Sequence, residues 1–462
     1  MSQSSFSSLA LHPALLSNLS SLGYHEMTPI QAQSLPHALD GKDIIAQGKT
    51  GSGKTAAFGL SVLEKLDVKR FRVQSLILCP TRELADQVAQ EIRRLARGIH
   101  NIKVLTLCGG SPFGPQIGSL EHGAHIIVGT PGRVEEHLRK GTLKLNSLTT
   151  FVLDEADRML DMGFQDALDA IVEYMPARRQ TLLFSATYPA QISAIADKVM
   201  IQPVLVQVAS THDSRSIAQT FYRVDDADSR LNAMRMLLLE YRPDSALVFC
   251  NTKRETDELA EALRGYGFSA LALHGDLEQK QREETLVRFA NKSVSILVAT
   301  DVAARGLDID ALDAVFNYQI AREREVHVHR IGRTGRAGGK GIACTLFAEK
   351  ERYKFEALEK YLEQTFDVAL LPESRLLTQP AYKPPMATLQ IDGGKKQKVR
   401  PGDILGALTA GDELSGKDVG KIHIFGNCAY VAIRRGAAQT ALKKIATEKL
   451  KGRSFRVRQI RG

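Results

Sequence analysis

The sequence predicts an α/β chain: two tandem domains, each built on a parallel β-sheet, followed by a small βαββαβ domain. Three observations carry this. Residues 40–210 alternate short apolar runs with helical segments, and residues 245–346 repeat the style. Runs of five or six apolar residues, each ended by a polar or glycine turn and followed by an amphipathic stretch, mark buried parallel strands with crossover helices. Beyond residue 385 the pattern changes, and so does the charge.

In the first block the strand runs are DIIAQ, QSLILCP, KVLTLCG, HIIVGTP, TTFVLDEA and QTLLFSAT. In the second they are SALVFCN, SALALHG, SILVATD, DAVFNYQ and GIACTLF. The polar stretch ASTHDSRS, near 205–218, joins the blocks. A second break falls at 371–385, where LPESRLLTQPAYKPP suits an exposed linker. The tail then reads strand (ATLQI), helix (PGDILGALT), strand (KIHIF), strand (AYVAI), helix (AAQTALKKIATEKL) and strand (SFRVRQI). Gly426-Asn427 supplies the turn between its middle strands. That order is the ferredoxin-like arrangement.

The chain has 462 residues, 44% hydrophobic and 24% charged, ordinary values for a soluble globular protein with two to three domains. No apolar run approaches the ~18 residues of a membrane span. The first basic residue is Lys42, so no secretory or transit signal is expected, and Met1 to Ser8 is expected to fray. Five scattered cysteines (79, 108, 250, 344, 428) without a CxxC pair point to a reducing cytoplasm and no zinc. Net charge is +9 but uneven. Residues 381–462 hold 17 Lys and Arg against 6 Asp and Glu, +11, which leaves −2 for everything before them. Such asymmetry suggests a polyanion partner, usually nucleic acid.

Residues 48–55, GKTGSGKT, fit GxxxxGK[ST] between a strand and a helix. Glycines let backbone N–H groups wrap phosphates; Lys54 reaches the outer phosphates, and Thr55 offers a hydroxyl to Mg²⁺. Asp154 and Glu155 end the strand of TTFVLDEAD, where one carboxylate can hold Mg²⁺ and its neighbour can orient the attacking water. Carboxylates also favour helix starts, which is the bland reading. HRIGRTGRAG, residues 329–338, would place His329, Arg333 and Arg336 on one face if helical, suited to transition-state charge on a γ-phosphate. An arginine-rich helix is otherwise a solvated or RNA-facing surface.

These residues, with others in order, resemble the DEAD-box RNA helicases. DEAD stands at 154–157. GYHEMTPIQ (23–31), AQGKTGSGKT, PTRELA (80–85), Gly109-Gly110, TPGR (130–133), SAT (185–187), VFCNT (248–252), HGD (274–276), ATDVAARGLDI (299–309) and HRIGRTGR complete the set. The resemblance implies two RecA-like domains, 1–208 (ATP-binding) and 218–370 (helicase C-terminal), a linker at 371–384, and an RRM-like RNA-binding domain at 385–462. It implies that Phe6, Tyr24, Thr28 and Gln31 read adenine, with Tyr24 stacking on it. Gly51, Ser52, Gly53, Lys54 and Thr55 hold phosphates and, with Asp154, Mg²⁺. Glu155 is the general base, Arg333 and Arg336 are arginine fingers, and Asp308 contacts the ribose. Ser185 and Thr187 couple hydrolysis to the domains. Arg82, Gly110, Thr130, Arg133, Thr252, Gly275 and Thr300 touch the RNA backbone. The family implies a local opening of duplex when the domains close on ATP. One departure is visible: NYQIARE carries Gln319 and Ala321 where the family has Tyr-Asp and a nearby proline, which bears on the fine contacts between domains.

A core that grips sugar and phosphate reads little sequence. A tethered basic domain can choose the RNA by raising local concentration. The tail strand NCAYVAI keeps only Tyr430 and Val431 of the RNA-recognition motif, so base stacking across the sheet is weakly supported. Lys395, Lys396, Lys398 and Arg400, then Arg434, Arg435, Arg453, Arg456 and Arg458, are better placed to bind. DGGKK, RPGDILGAL and DVGKIHIF resemble a bacterial subgroup of the family. This implies a cytoplasmic, monomeric helicase of 50S ribosome assembly, with the tail on a 23S rRNA hairpin near the peptidyl-transferase region. A general mRNA or cold-shock helicase is the first alternative. An ATP-gated RNA clamp with little turnover is the other.

Overall fold

In the computed structural model the described residues are 5–48, 51–187, 190–208, 217–304, 312–335, 341–411, 413–447, 450 and 452–460. They fall into two compact units. The first holds the first sheet; the second holds the second sheet and the tail domain.

Seven strands form the first sheet: β1 (Ile44–Gln47), β2 (Ser75–Leu78), β3 (Val104–Leu107), β4 (Ile126–Gly129), β5 (Thr150–Asp154), β6 (Gln180–Ser185) and β7 (Val204–Gln207). They lie in the order β3-β4-β2-β5-β6-β1-β7, all parallel. The six expected runs are six of these strands. β7, from PVLVQV, is additional and pairs with β1 at the sheet edge. Strands β2, β4, β5 and β6 are buried along their whole length, as the unbroken apolar runs require of a sheet covered on both faces.

The second sheet comprises β8 (Ile217–Val224), β9 (Ala246–Cys250), β10 (Ala270–Leu273), β11 (Ile296–Thr300), β12 (Ala314–Asn317), β13 (Gly341–Ala348) and β14 (Val368–Ala369). Its order is β10-β11-β9-β12-β13-β8-β14. β8 was not among the expected runs. IAQTFYRV alternates rather than running apolar, yet it pairs over eight residues with β13.

In the tail, β15 (Met386–Ile391), β16 (Val419–Ile424), β17 (Ala429–Arg434) and β18 (Val457–Ile460) form an antiparallel sheet in the order β16-β17-β15-β18. Helices Pro401–Thr409 and Ala438–Thr447 complete the expected βαββαβ order. Leu389, Ile391, Val431 and Ile433 face its core with Ile404, Leu408, Ala441 and Ile445.

Three expectations are corrected. The N-terminal stretch is not frayed from Ser5 onward: Ser5 caps a 3-10 turn, and Phe6 is buried edge-to-face against Tyr24. The segment 371–384 is not a free tether. Tyr382 is buried against Phe268, Arg242 lies over its ring, and Leu376 and Leu377 pack on the second core. An aromatic amid four prolines can bury as an extended strap, and the polar count of the stretch hides it. Third, HRIGRTGR is not one helix. The helix Arg324–Ile331 stops before Gly332, and Gly335 takes a positive φ of 70°. Arg333 therefore leaves the helical face of His329, and Arg336 lies outside the described residues.

Candidate active site

Parallel sheets place functional groups where chains leave the carboxyl ends of strands. In the first sheet the adjacent strands β5-β6-β1 carry one set there, and β3-β4-β2 carry another.

The first set is the phosphate half. After β1 the loop leads through Gly51, Ser52 and Gly53 into helix Lys54–Glu64, where N–H groups and the helix dipole favour an anion. Lys54 is buried, and its Nζ donates to Gly48 O at 2.8 Å. Gly53 has φ 91°, and a Cβ there would collide with the Gln31 amide. Gln31 is buried and its Nε2 donates to Gly53 O at 3.0 Å, while its Oε1 accepts from Thr28 N at 2.9 Å. The GYHEMTPIQ stretch is thus tied to the phosphate loop. Tyr24 is half-buried, and its hydroxyl donates to Glu91 at 2.9 Å and accepts from Arg94 at 2.7 Å.

Asp154 ends β5, 3% exposed, and its Oδ1 has no hydrogen-bond partner among the described residues. Burial pushes its carboxyl above the usual range, against the pull of Lys54. Glu155 follows with φ 53°, a left-handed backbone rare outside glycine that costs about 1–3 kcal/mol and persists only where its surroundings enforce it. Arg158 Nη1 holds its Oε2 at 2.6 Å, both side chains 5% exposed. Burial alone would raise Asp157, but Arg158, Lys54 and Thr187 hold its carboxyl below the usual range. Asp157 Oδ2 accepts from Thr187 N and Oγ1, each at 2.9 Å, and Asp157 N reaches Ser185 Oγ at 3.4 Å. SAT is therefore linked to DEAD through its last aspartate. Arg158 and Asp157 were not foreseen as site residues; their position next to the carboxylate pair was the available signal. Among the described residues no group of three His, Cys, Asp or Glu is placed to hold a metal by itself.

The second set comprises Arg82 after β2, Gly110 after β3, and Thr130 and Arg133 after β4. Gly110 has φ 77°, and a Cβ there would collide with the Arg82 guanidinium. Arg133 bonds Ser111 O and Gln116 Oε1, both at 3.0 Å, and Glu136 at 3.1 Å. The three expected RNA loops of this domain are neighbours along one sheet edge.

The second sheet repeats this edge. Thr252 follows β9, Gly275 follows β10 and Thr300 ends β11, on the adjacent strands β10-β11-β9. Thr252 caps helix Lys253–Gly265, and its hydroxyl also donates to Glu255 at 2.7 Å. Gln319 bridges within this domain: it accepts from Asn251 N at 3.2 Å and donates to Glu255 at 2.5 Å. Arg333 is buried. Asp308 lies outside the described residues. Arg330, not foreseen, is 1% exposed and grips Asp301 in a two-pronged pair at 2.6 and 2.7 Å, with Asn251, Asn317 and Gln319 O as further acceptors.

In the tail, Lys395, Lys396, Lys398 and Arg400 are all exposed. Their loop is anchored by its backbone: Lys395 N donates to Phe425 O at 2.8 Å and Lys396 N to Gly426 O at 3.0 Å. On the sheet face opposite the tail core the two central strands, β15 and β17, are closed. Thr388, Gln390, Tyr430 and Ala432 are buried there. Thr388 Oγ1 meets Asn291 Nδ2 at 3.1 Å and Ser293 Oγ at 2.7 Å, both on the second sheet domain. Tyr430 is thus spent on packing. Arg434, Arg435, Arg453, Arg456 and Arg458 are exposed, although Arg435 is tied to Pro384 O at 2.6 Å.

Family models match along the chain: DEAD/DEAH box helicase over residues 28–195, helicase conserved C-terminal domain over 229–338, and DbpA RNA binding domain over 388–459. ATP-dependent RNA helicase DbpA of Escherichia coli (strain K12) is 51% identical over 99% of both chains. DEAD-box ATP-dependent RNA helicase CshA of Bacillus subtilis (strain 168) is 42% identical over 78% of this chain and 73% of its own length. Among solved structures, S. cerevisiae Dbp5 bound to RNA and ADP BeF3 superposes with a TM-score of 0.72 at 29% identity, covering 80% of this chain and 96% of that one. With the nucleotide loop, the carboxylate pair and the two strand-end edges in place, this chain belongs to the DEAD-box ATP-dependent RNA helicases, in the group that carries a DbpA-type RNA-binding domain.

Proposed function

We propose that this enzyme works in assembly of the large ribosomal subunit, as a cytoplasmic monomer directed to a 23S rRNA hairpin near the peptidyl-transferase region by its tail. The observation that carries the reading is the basic tail domain, +11 over 381–462, which the similarity to DbpA includes and the similarity to CshA does not extend through. Its address lies in loops rather than on the sheet, since Tyr430 and Gln390 are buried while Lys395, Lys396, Lys398 and Arg400 stand exposed.

In this reading the backbone of Gly51, Ser52 and Gly53, with Lys54, holds the ATP phosphates. The residues present would suit Mg²⁺: Asp154 offers a buried carboxylate oxygen with no partner among the described residues, and Mg²⁺ takes one or two carboxylates plus phosphates rather than an all-protein cage. When bound, it neutralises phosphate charge. Thr55 and Asp154 would hold it. Glu155 takes the proton of the attacking water, and Thr187 senses the outcome through Asp157. Arg333 and Arg336 keep the arginine-finger role that their motif implies. The strand-end groups Arg82, Gly110, Thr130 and Arg133 of the first sheet domain grip RNA backbone, as do Thr252, Gly275 and Thr300 of the second.

The test is ATP hydrolysis by the full chain with 23S rRNA, 16S rRNA and poly(A). Strong stimulation by 23S rRNA alone is expected. Equal stimulation by all three would make this a general helicase, and binding of all three without turnover would make it a clamp.

A further inference from the structure

Gln116 is buried, and its two amide atoms face different loops. Nε2 donates to Cys108 O at 3.0 Å, directly before Gly109-Gly110. Oε1 accepts from Arg133 Nη1 at 3.0 Å and from His137 Nε2 at 2.9 Å, both on the helix Pro131–Arg139 that opens with TPGR. The partners fix which amide end is which. A carbonyl oxygen needs a donor and a guanidinium needs an acceptor, so a flipped amide would satisfy neither.

The knot continues behind it. His137 Nδ1 meets Thr142 Oγ1 at 2.8 Å, and the imidazole stacks on Phe113 with ring centres 4.1 Å apart and 15° between planes. Lys140 Nζ lies 4.1 Å from the same Phe113 ring centre. Burial and the Arg133 charge hold His137 down to about 4. Neutral, the ring adds no second cation beside Arg133, and in the tautomer with its proton on Nε2 it donates to Gln116 Oε1. Arg133 itself spends Nη1 on Ser111 O and Gln116, and Nε on Glu136. No hydrogen bond engages its Nη2 among the described residues.

We infer that Gln116 is a positioning residue for the RNA grip: it fixes the Gly109-Gly110 turn and the Arg133 guanidinium at one spacing, so that both meet phosphates of a single strand. The inference rests on the reading of Gly110 and Arg133 as backbone contacts. A guanidinium held by three partners presents its remaining N–H groups in a set direction, which matters for planar recognition of phosphate.

Binding of a 20-nucleotide oligo(A) to the full chain with a non-hydrolysable ATP analogue, followed by fluorescence anisotropy over a series of salt concentrations, tests this. Each phosphate contact on a single strand contributes about 0.7 to the slope of log affinity against log salt. Gln116→Met keeps the volume but cannot accept. It is expected to weaken binding about ten-fold and to lose about 0.7 of the slope, as Arg133→Ala does. The double variant is expected to match Arg133→Ala, because the two act through one contact. Gln116→Glu still accepts from Arg133 and His137 but can no longer donate to Cys108 O; it is expected to keep the full slope, which reads the Arg133 cation, while affinity falls because the Gly109-Gly110 turn loses its tie. A merely structural residue would lower the binding-competent fraction and leave the slope alone. An unchanged slope in Gln116→Met, an additive double variant, or a Gln116→Glu slope like that of Arg133→Ala would overturn the inference. The Gln116→Glu comparison decides it even if Gln116→Met does not fold. If Arg133→Ala itself keeps affinity and slope, the reading of the RNA loops falls first.

Discussion

Glu155→Gln is expected to bind ATP and RNA and to stop there. Removing a general base costs about 10²- to 10⁴-fold in rate. The amide is the same size as the carboxylate, and its oxygen can still accept from Arg158 at the position now 2.6 Å away. The left-handed turn at 155 and the links from Asp157 to Thr187 involve other atoms, so they persist. RNA-stimulated turnover should therefore collapse while the ATP- and RNA-bound complex becomes long-lived, as single-turnover hydrolysis and RNA dissociation would show. Turnover within ten-fold of the unaltered enzyme would remove Glu155 from the role of base.

Arg330→Met is expected to destabilise the second domain. The side chain joins the ends of β9, β11 and β12, through Asn251, Asp301, and Asn317 with Gln319 O. Its guanidinium also lies 5.1 Å from the centre of the Phe249 ring. Methionine replaces the apolar stem but leaves Asp301 without its two-pronged partner and the buried Asn317 without a donor. Breaking a buried pair costs about 3–5 kcal/mol, and the partial exposure of Asp301 places the loss at the lower end. A body of this size loses about 2–4 °C per kcal/mol, so thermal unfolding of the second domain should come roughly 10 °C earlier. An unchanged transition would show that Arg330 is not structural.

Arg330 also shows where the sequence was legible and where it was not. The buried strands announced themselves because a sheet covered on both faces needs unbroken apolar runs, and the phosphate loop because only glycine tolerates its turns. β8 escaped notice because it alternates. Arg330 stands in a stretch rich in arginine, which reads as surface; only the topology that brings Asp301, Asn251 and Asn317 around it reveals a buried cation. The same stretch suggested a helix through Arg336, although Gly332 and Gly335 were visible as breakers. In the tail the order of elements was plain. That Thr388 would meet Asn291 and Ser293, and that Tyr430 would be buried, depends on packing between domains, which no local pattern encodes. Tyr382, in a proline-rich strap, misled for the related reason that one aromatic can outweigh its polar neighbours.

The central claim is that the core hydrolyses and the tail chooses. The most direct measurement compares ATP hydrolysis stimulated by 23S rRNA, 16S rRNA and poly(A) in the full chain and in a chain ending at Pro385. That end point keeps Tyr382 in its place on the second core. The full chain should respond selectively to 23S rRNA, and the shortened chain should be a weak ATPase that answers all three RNAs alike. Selectivity for 23S rRNA that survives in the shortened chain would contradict the account and move the choice of RNA into the two sheet domains.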